Sequence, residues 1–254
     1  MMNRTVYDYT HEQIGYGFNE KNSVVIQKET DYILSKVLAS FATLFHDKVV
    51  GIKISNEQFT YTAEYLLSPK HKKNLITWLD RVYEVKSPVS DLDFGKWKID
   101  LDTWYYELGG VSIEYIYHDD YLLTAAEAAD LLGISKVTLR KYVNQGLECQ
   151  DNNGSHKKIP KHAVELMRDT VYSIRMQMNY QTKKRLEQTP QERLLEINQE
   201  LTELQLRYGK KTYQEAFEGI AEGDLDDPID YYRWEALTEE MDEILKIAGG
   251  TKGN

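Results

Sequence analysis

Cysteine, proline and long apolar runs are all scarce in this sequence of 254 residues. Cys149 is the one cysteine, so the chain can form neither an internal disulfide nor a cysteine-based zinc site. The apolar runs are only a few residues long, too short for a transmembrane helix, and the opening MMNRTVYDYTHEQ lacks the apolar core of a signal peptide. We therefore expect a cytoplasmic protein without a membrane partner.

Metal-binding patterns are equally sparse. None of the six histidines stands in an HExxH or other metal-ligand spacing. Paired aspartates at Asp91-Leu92-Asp93, Asp100-Leu101-Asp102 and Asp119-Asp120 would hold Mg²⁺ only if they converged, and we interpret them as solvated carboxylates of loops and strand edges. We therefore expect no metal, no cofactor and no catalytic residue. An enzyme with a catalytic N-terminal domain is the less favoured alternative.

The charge is unevenly distributed along the chain. The net charge is −10 overall, but it is −7 over residues 1–132, +7 over residues 133–185 and −10 over residues 186–254. Affinity for phosphate depends on local cations rather than on the total charge. The basic central segment is therefore the place to look for a nucleic-acid site.

An α+β fold is predicted for the first 120 residues, whose role the sequence does not indicate. Apolar residues at helical spacing predict helices, and alternating or β-branched runs predict strands. A loop containing Pro88 and the paired aspartates is expected between the second helix and the last strand. The predicted elements are strand Ser23–Gln27, helix Thr30–Phe45, strand Val49–Ser55, a further strand at Phe59–Tyr65, helix Pro69–Val82 and strand Val111–Tyr117.

Two short helices joined by a glycine turn are predicted next. Thr124-Ala125-Ala126-Glu127 is a capping box that starts the first helix, and Gly133 ends it. Ser135 can cap the second helix, Lys136–Gln145, and Gly146 can end it. Such a pair is typical of a helix-turn-helix, whose second helix enters the major groove of DNA.

The outward face of the second helix carries the residues suited to DNA. Arg140 can make a paired hydrogen bond to guanine, and Asn144 can do the same to adenine. Lysine contacts with phosphate set the register of the protein without reading sequence. The residues predicted to contact DNA are Ser135, Lys136, Val137, Thr138, Arg140, Lys141, Asn144, His156, Lys157 and Lys158.

A β-hairpin wing is predicted after the second helix. Leu147–Lys158 holds the turn sequence Asp151-Asn152-Asn153-Gly154 between short extended pieces. Its basic end, His156-Lys157-Lys158, would lie near a phosphate strand or a minor groove. Pro160 suits the first position of a following helix.

This stretch resembles a known family. LLTAAEAADLLGISKVTLRKYVNQGL followed by KKIPKHAVELM is similar to the excisionase-type, winged helix-turn-helix family, over residues 121–167. The resemblance implies a winged DNA-binding domain, placed here at residues 121–182, and a role in transcription regulation. The wing differs from the family pattern because it contains Asp151 and no arginine.

The last part of the chain, residues 183–254, is predicted to be helical and to bind a partner or form a dimer. Helices are expected at Gln191–Tyr208, Thr212–Ala221 and Pro228–Ile247, with a turn at Glu222–Pro228. The leucine-rich first helix could be a dimerisation helix. A homodimer would present two recognition helices to a palindromic site.

A second, shorter resemblance concerns Arg207–Leu237. RYGKKTYQEAFEGIAEGDLDDPIDYYRWEAL is similar to the C-terminal segment of antitoxins, which implies a toxin partner. An equally supported interpretation places Tyr231, Trp234 and Leu237 on the inner face of a helix that packs on the protein's own core. The residues predicted to bind a partner are Tyr213, Phe217, Tyr231, Tyr232, Arg233 and Trp234.

These patterns predict a sequence-specific regulator that binds double-stranded DNA. The resemblance to antitoxins implies that it is the antitoxin and autorepressor of a toxin–antitoxin pair. The alternative is a phage or mobile-element regulator, similar to an excisionase and without a toxin.

Overall fold

The computed structural model describes residues 2–54, 61–150, 157–218 and 228–250 of the chain. The chain divides into two compact units, Met1–Leu186 and Glu187–Asn254. The segments predicted as separate domains at 1–120 and 121–182 both lie within the first unit. Most described residues are helical, and none of the helices among them is both long and apolar enough to cross a membrane.

Among the described residues, the first unit contains nine α-helices, one 3-10 helix at Asp119–Tyr121 and four short strands. Its helices are α1 (Arg4–Asn19), α2 (Ser23–Thr43), α3 (Ala63–Leu66), α4 (Pro69–Glu84), α5 (Asp91–Glu107), α6 (Ala125–Leu132), α7 (Lys136–Gln145), α8 (Lys161–Met167) and α9 (Thr170–Glu187). Its strands are β1 (Val49–Ile54), β2 (Ile113–Tyr117), β3 (Leu122–Thr124) and β4 (Lys158–Pro160).

The N-terminal part is more helical than the sequence suggested. The strand predicted at Ser23–Gln27 is wrong, because these residues form the first turns of α2. The side chain of Asn22 accepts a hydrogen bond from the backbone N–H of Val25, and this cap starts the helix seven residues before the predicted Thr30. The helix α1, capped in the same way by Asn3, was not predicted.

The two strands of the first sheet were predicted correctly. The strands β1 and β2 pair antiparallel, with Ile54 opposite Ile113 and Val49 opposite Tyr117. The further strand expected at Phe59–Tyr65 is wrong where it is described, because Ala63–Leu66 is helical, and residues 59–60 lie outside the described residues. The helix predicted from Pro69 is confirmed as α4.

The helix α5 replaces the predicted loop and connects the two cores of the first unit. Phe94, Leu101 and Trp104 are buried in the N-terminal core, whereas Ile99 is buried in the core formed by α6, α7 and α8. A helix that is apolar around most of its circumference is normally surrounded by protein. The helix-turn-helix region therefore packs directly on α5.

The second unit contains α10 (Pro190–Tyr208), α11 (Tyr213–Ala216) and α12 (Pro228–Gly250). The predicted helix after Pro190 is confirmed, and it ends at Gly209 in a left-handed conformation with φ of 63°. Of the helix predicted at Thr212–Ala221, Tyr213–Ala216 is helical and residues 219–221 lie outside the described residues, as does almost all of the turn expected at Glu222–Pro228. The core of this unit is formed by Ile197, Leu201, Leu204, Trp234 and Leu237.

Candidate nucleic-acid interface

The first helix of the pair, α6, is fixed at both ends by local hydrogen bonds. The hydroxyl of Thr124 accepts the backbone N–H of Glu127 at 3.3 Å, and the carboxylate of Glu127 accepts the backbone N–H of Thr124 at 2.8 Å. Gly133 ends the helix with φ of 66°, a conformation that glycine adopts at little cost. The predicted capping box and glycine turn are confirmed.

The second helix, α7, begins and ends as the sequence predicts. The hydroxyl of Ser135 accepts the backbone N–H of Thr138 at 3.1 Å, and Gly146 ends the helix with φ of 115°. Leu139 is buried on the inner face, with Tyr142 and Val143 packed against the same core. This packing orients α7 so that its opposite face is open to solvent.

The exposed face of α7 carries cations without carboxylate partners. Among the described residues, the side chains of Lys136, Arg140 and Lys141 make no ion pair and no hydrogen bond to protein. Asn144 is exposed beside them, and Val137 is 70% exposed. Ser135 and Thr138, also predicted to contact DNA, join their hydroxyls at 2.9 Å at the start of the helix. An exposed, unpaired positive face can bind phosphate without first breaking an internal ion pair.

The base of the predicted wing is present in the described residues. Gln150 and Lys158 exchange backbone hydrogen bonds of 2.8 and 3.0 Å, and β3 pairs antiparallel with β4. Lys157 is exposed, and the ammonium of Lys158 lies 3.2 Å from the carboxylate of Asp119. His156 and the predicted turn at 151–154 lie outside the described residues.

One boundary near the wing differs from the prediction. Pro160 is the last residue of β4 and the N-cap of α8, and not the first residue of the helix, which begins at Lys161. Leu122 and Pro160 lie opposite each other in the two paired strands. A proline is tolerated there because an edge position does not require its missing N–H.

A buried charged network joins α5 to the end of the recognition helix. The ammonium of Lys98 lies 2.8 Å from the carboxylate of Asp102 and 3.0 Å from that of Glu148, two residues after Gly146. Glu148 also accepts the hydroxyl of Tyr117 at 2.7 Å, and His162 lies 3.2 Å from it. The network fixes the point where the chain leaves α7 and enters the wing.

The network has clear electrostatic consequences. Burial alone would raise the pKa of Glu148, but the charge of Lys98 and the hydrogen bonds of Glu148 outweigh burial and hold the pKa below its usual range. Burial alone would lower the pKa of Lys98, but Asp102 and Glu148 raise it above its usual range. Both groups are therefore charged at neutral pH. Asp102 was interpreted as a solvated carboxylate, which is wrong.

Sequence reasoning missed this network because its members are far apart along the chain. Lys98 and Asp102 lie on one face of α5, a helix that was not predicted, and Glu148 follows the recognition helix. The spacing of four residues between Lys98 and Asp102 was the one local signal, since residues four apart on a helix are neighbours.

The carboxylates of the basic segment are paired with cations. Glu148 is paired with Lys98, Glu165 lies 2.9 Å from Arg168, and Asp169 lies 2.9 Å from Lys96. Asp151, the fourth carboxylate between residues 133 and 185, lies outside the described residues. The described carboxylates of this segment are therefore offset by cations, whereas Lys136, Arg140 and Lys141 on α7 have no carboxylate partner among the described residues.

The residues predicted to bind a partner lie in the second unit in different environments. Trp234 is 1% exposed in the core, as the core-packing interpretation expected, and the rings of Tyr213 and Phe217 contact that of Tyr231. Tyr232 is 52% exposed, and the guanidinium of Arg233 donates to Glu200 at 2.8 Å. The role of these residues in partner binding stays a prediction.

The two glycine ends of the helix pair give a matched test of how α9 contacts α7. A Cβ added at Gly146 would lie 2.9 Å from Cβ of Tyr180 and 3.1 Å from Cα of Gln177, whereas a Cβ at Gly133 would meet no atom within 4 Å. We expect Gly133→Ala to cost about 1–2 kcal/mol of unfolding free energy from the left-handed backbone alone. We expect Gly146→Ala to cost about 1–3 kcal/mol more, because its φ of 115° is less favourable for alanine and because Tyr180 and α9 must move.

Urea denaturation of the two variants measures this difference. Equal losses of stability would show that α9 does not pack against the end of α7. A larger loss for Gly146→Ala would combine the contact with α9 and the less favourable backbone angle, since φ is 115° at Gly146 and 66° at Gly133.

Comparison with known proteins supports the same region. Residues 122–169 match the model of the helix-turn-helix domain family, which confirms the module predicted from Tyr121 to Met167. No curated protein and no solved structure matches the chain at a significant level. The chain therefore carries a helix-turn-helix domain between residues 122 and 169. The presence of this domain supports a role in DNA binding.

Proposed function

We propose that the protein is a transcription regulator that binds duplex DNA specifically by placing α7 in the major groove, and that it acts by binding rather than by catalysis. The observation that carries the proposal is the exposed face of α7, where Lys136, Arg140 and Lys141 have no partner among the described residues. Arg140 has the paired donors that suit guanine, and Asn144 has the amide that suits adenine. The lysines suit phosphate.

The acidic remainder of the chain is compatible with this role. Residues 1–132 and 186–254 carry net charges of −7 and −10, so they repel a polyanion, while the segment 133–185 carries +7. Repulsion between DNA and these acidic regions favours the orientation in which the helix-turn-helix domain faces DNA. Binding is expected to weaken steeply as salt rises.

Single substitutions on α7 test base reading and phosphate contact separately. A preferred site is first selected from a pool of random duplexes. We expect Arg140→Ala to lower the affinity for the selected site by about 5- to 150-fold, which corresponds to about 1–3 kcal/mol, with a much smaller effect on a random duplex. We expect Lys141→Ala to weaken binding to the selected site and to the random duplex equally, and to reduce the slope of log affinity against log salt by about 0.9.

The control is Lys86→Ala, which removes the same charge from an exposed position after α4. Fluorescence anisotropy over a salt series measures all four proteins. If the wild type binds no duplex in a salt-dependent way, or if neither α7 substitution changes binding, the proposed function is wrong.

Dimerisation is part of the proposal and draws support from α10. Leu195 and Leu206 are eleven residues apart, so they lie on one face of the helix, and they are 62% and 79% exposed. These two leucines are exposed on a helix whose opposite face is packed in the core. An exposed apolar face of this kind suits contact with a second copy of the chain. Two copies would present two recognition helices to paired half-sites.

The antitoxin and autorepressor role is the finer form of this proposal and depends on the resemblance of Arg207–Leu237. The burial of Trp234 limits the surface available to a toxin, because a buried anchor cannot enter a partner's pocket while the unit stays folded. Tyr232 and the neighbouring exposed side chains are the surface that a toxin would contact.

A further inference from the structure

The helix α9 begins where the family match ends. The match covers residues 122–169, and α9 runs from Thr170 to Glu187. Three of the eleven lysine and arginine residues between positions 133 and 185 stand together at its end, as Lys183, Lys184 and Arg185. Neither the recognition helix nor the wing contains this group.

The position of α9 is fixed by hydrogen bonds to α5. The amide of Asn179, which is buried, donates to the carbonyl of Ile99 at 2.9 Å and accepts the hydroxyl of Thr103 at 3.0 Å. About two turns before Asn179, the hydroxyl of Tyr172 donates to Asp100 at 3.0 Å, and Arg175, about one turn before Asn179, pairs with the same carboxylate. Because α5 also supports α8, α9 is held in a defined place relative to the helix-turn-helix domain.

One face of α9 lies against the end of the recognition helix. Gly146 ends α7, and the space beside it is filled by Gln177 and Tyr180. Lys184 is four residues after Tyr180 and seven after Gln177, so it continues the same face about 6 Å further along the helix. Lys184 therefore lies about one turn of α9 past the residues that contact Gly146, with Tyr180 40% exposed.

The charges near this end favour a polyanion. Glu187 is the one carboxylate on α9 itself, and it offsets part of the charge of the group at 183–185. The carboxylates at the start of the helix and on α8 are already paired, Asp169 with Lys96 and Glu165 with Arg168. The segment 133–185 thus carries a second group of cations, one turn of α9 past the contact with Gly146.

We propose that the last turns of α9 form a second DNA-contacting surface, in which Lys184, on the face that packs at Gly146, contacts the phosphate backbone and Lys183 and Arg185 on either side of it add positive charge. This proposal rests on the proposed function, since it requires α7 to lie in the groove. The contacts add affinity without reading sequence, because phosphates are the same at every base pair. The footprint of the protein is then longer than that of its helix-turn-helix domain.

The test combines a triple substitution with duplexes of two lengths. The variant Lys183→Ala/Lys184→Ala/Arg185→Ala is compared with the control Lys28→Ala/Lys73→Ala/Lys86→Ala, which removes the same charge from exposed positions of the N-terminal part. Each full-length protein is titrated with the selected site alone and with the same site extended by about 5 base pairs, half a helical turn, on both sides. Circular dichroism melts establish that both variants are folded.

We expect the extension to strengthen binding by the wild type and the control but not by the α9 variant. The α9 variant should also lose affinity equally for selected and random extended duplexes, with a salt slope lower by up to about 2.7, which is about 0.9 for each contact. Equal gains from the extension in all three proteins would overturn the proposal.

Failure of this inference is distinguishable from failure of the proposed function. If Arg140→Ala abolishes preference for the selected site while the α9 variant matches the control, α7 reads DNA and α9 does not contact it. If the wild type binds no duplex in a salt-dependent way, the proposed function itself is wrong.

Discussion

Replacing Lys98 by methionine is expected to lower the unfolding free energy of the first unit by about 3–5 kcal/mol. The side chains of Lys98 and Asp102 are 8% and 9% exposed, and that of Glu148 is 20% exposed. Methionine fills a similar volume but leaves two buried carboxylates without their shared cation. Leaving a buried charge unpaired costs far more than the intact network contributes.

A rescue variant separates charge from packing. Lys98→Met/Asp102→Asn/Glu148→Gln removes all three charges together, and replacement of a complete buried network is often close to neutral. We therefore expect the triple variant to regain most of the stability lost in Lys98→Met. If the triple variant is as unstable as the single one, the loss comes from packing and the network is not the cause.

The effect of Lys98→Met is expected to depend on pH. In the wild type the pKa of Glu148 is below its usual range. The contribution of Glu148 to stability is therefore complete above the ordinary pKa of a glutamate and is lost as pH falls further. In the variant, burial without the cation raises the pKa of both carboxylates, and protonation in the folded state then stabilises the variant as pH falls. The difference in unfolding free energy between wild type and variant, measured by urea denaturation, should therefore narrow as pH falls below neutrality.

The same substitution is expected to affect DNA binding. Glu148 lies between Gly146, which ends α7, and Gln150, which starts the wing. The ion pair of Glu148 with Lys98 on α5 therefore sets the angle between α7 and the wing. Lys98→Met should weaken binding to the selected site more than the fraction of folded protein explains. An affinity equal to that of the wild type, once corrected for folding, would show that the network has no part in placing α7.

The parts of the fold that were predictable from sequence are those with local signals. The α6–α7 pair begins and ends at Thr124, Gly133, Ser135 and Gly146, whose preferences for caps and left-handed turns operate within three or four residues. The exposed face of α7 followed from the same helical spacing. No contact with the rest of the chain was needed to place these residues.

The parts that were missed depend on burial. The helix α5 has apolar residues around most of its circumference and aspartates at two-residue spacing, so it shows no amphipathic period and was interpreted as a loop. In SVVIQ, the β-branched residues favour a strand, but the cap at Asn22 and packing along α2 override that preference. The partners of Lys98 and of Gly146 come from distant parts of the chain, and single-sequence patterns do not specify such pairings.

Replacing Trp234 by alanine is expected to unfold the second unit. The indole is 1% exposed and packs with Ile197, Leu201 and Leu237, with its ring centroid 6.0 Å from that of Tyr208. Truncating a buried tryptophan costs about 3–5 kcal/mol. A small helical unit with a single short core has little stability beyond that amount.

The matched control is Tyr232→Ala, two residues earlier on α12 and 52% exposed, for which we expect a change within about 0.5 kcal/mol. Helicity by circular dichroism and limited proteolysis of residues 187–254 report on the second unit, while the melting transition of the first unit should persist in both variants. If Trp234→Ala remains helical and resistant to protease, Trp234 is not the centre of this core and is free to anchor a partner. If instead Trp234→Ala unfolds, partner binding must be measured with Tyr232→Ala. That variant changes the exposed surface predicted to contact a toxin and leaves the core intact.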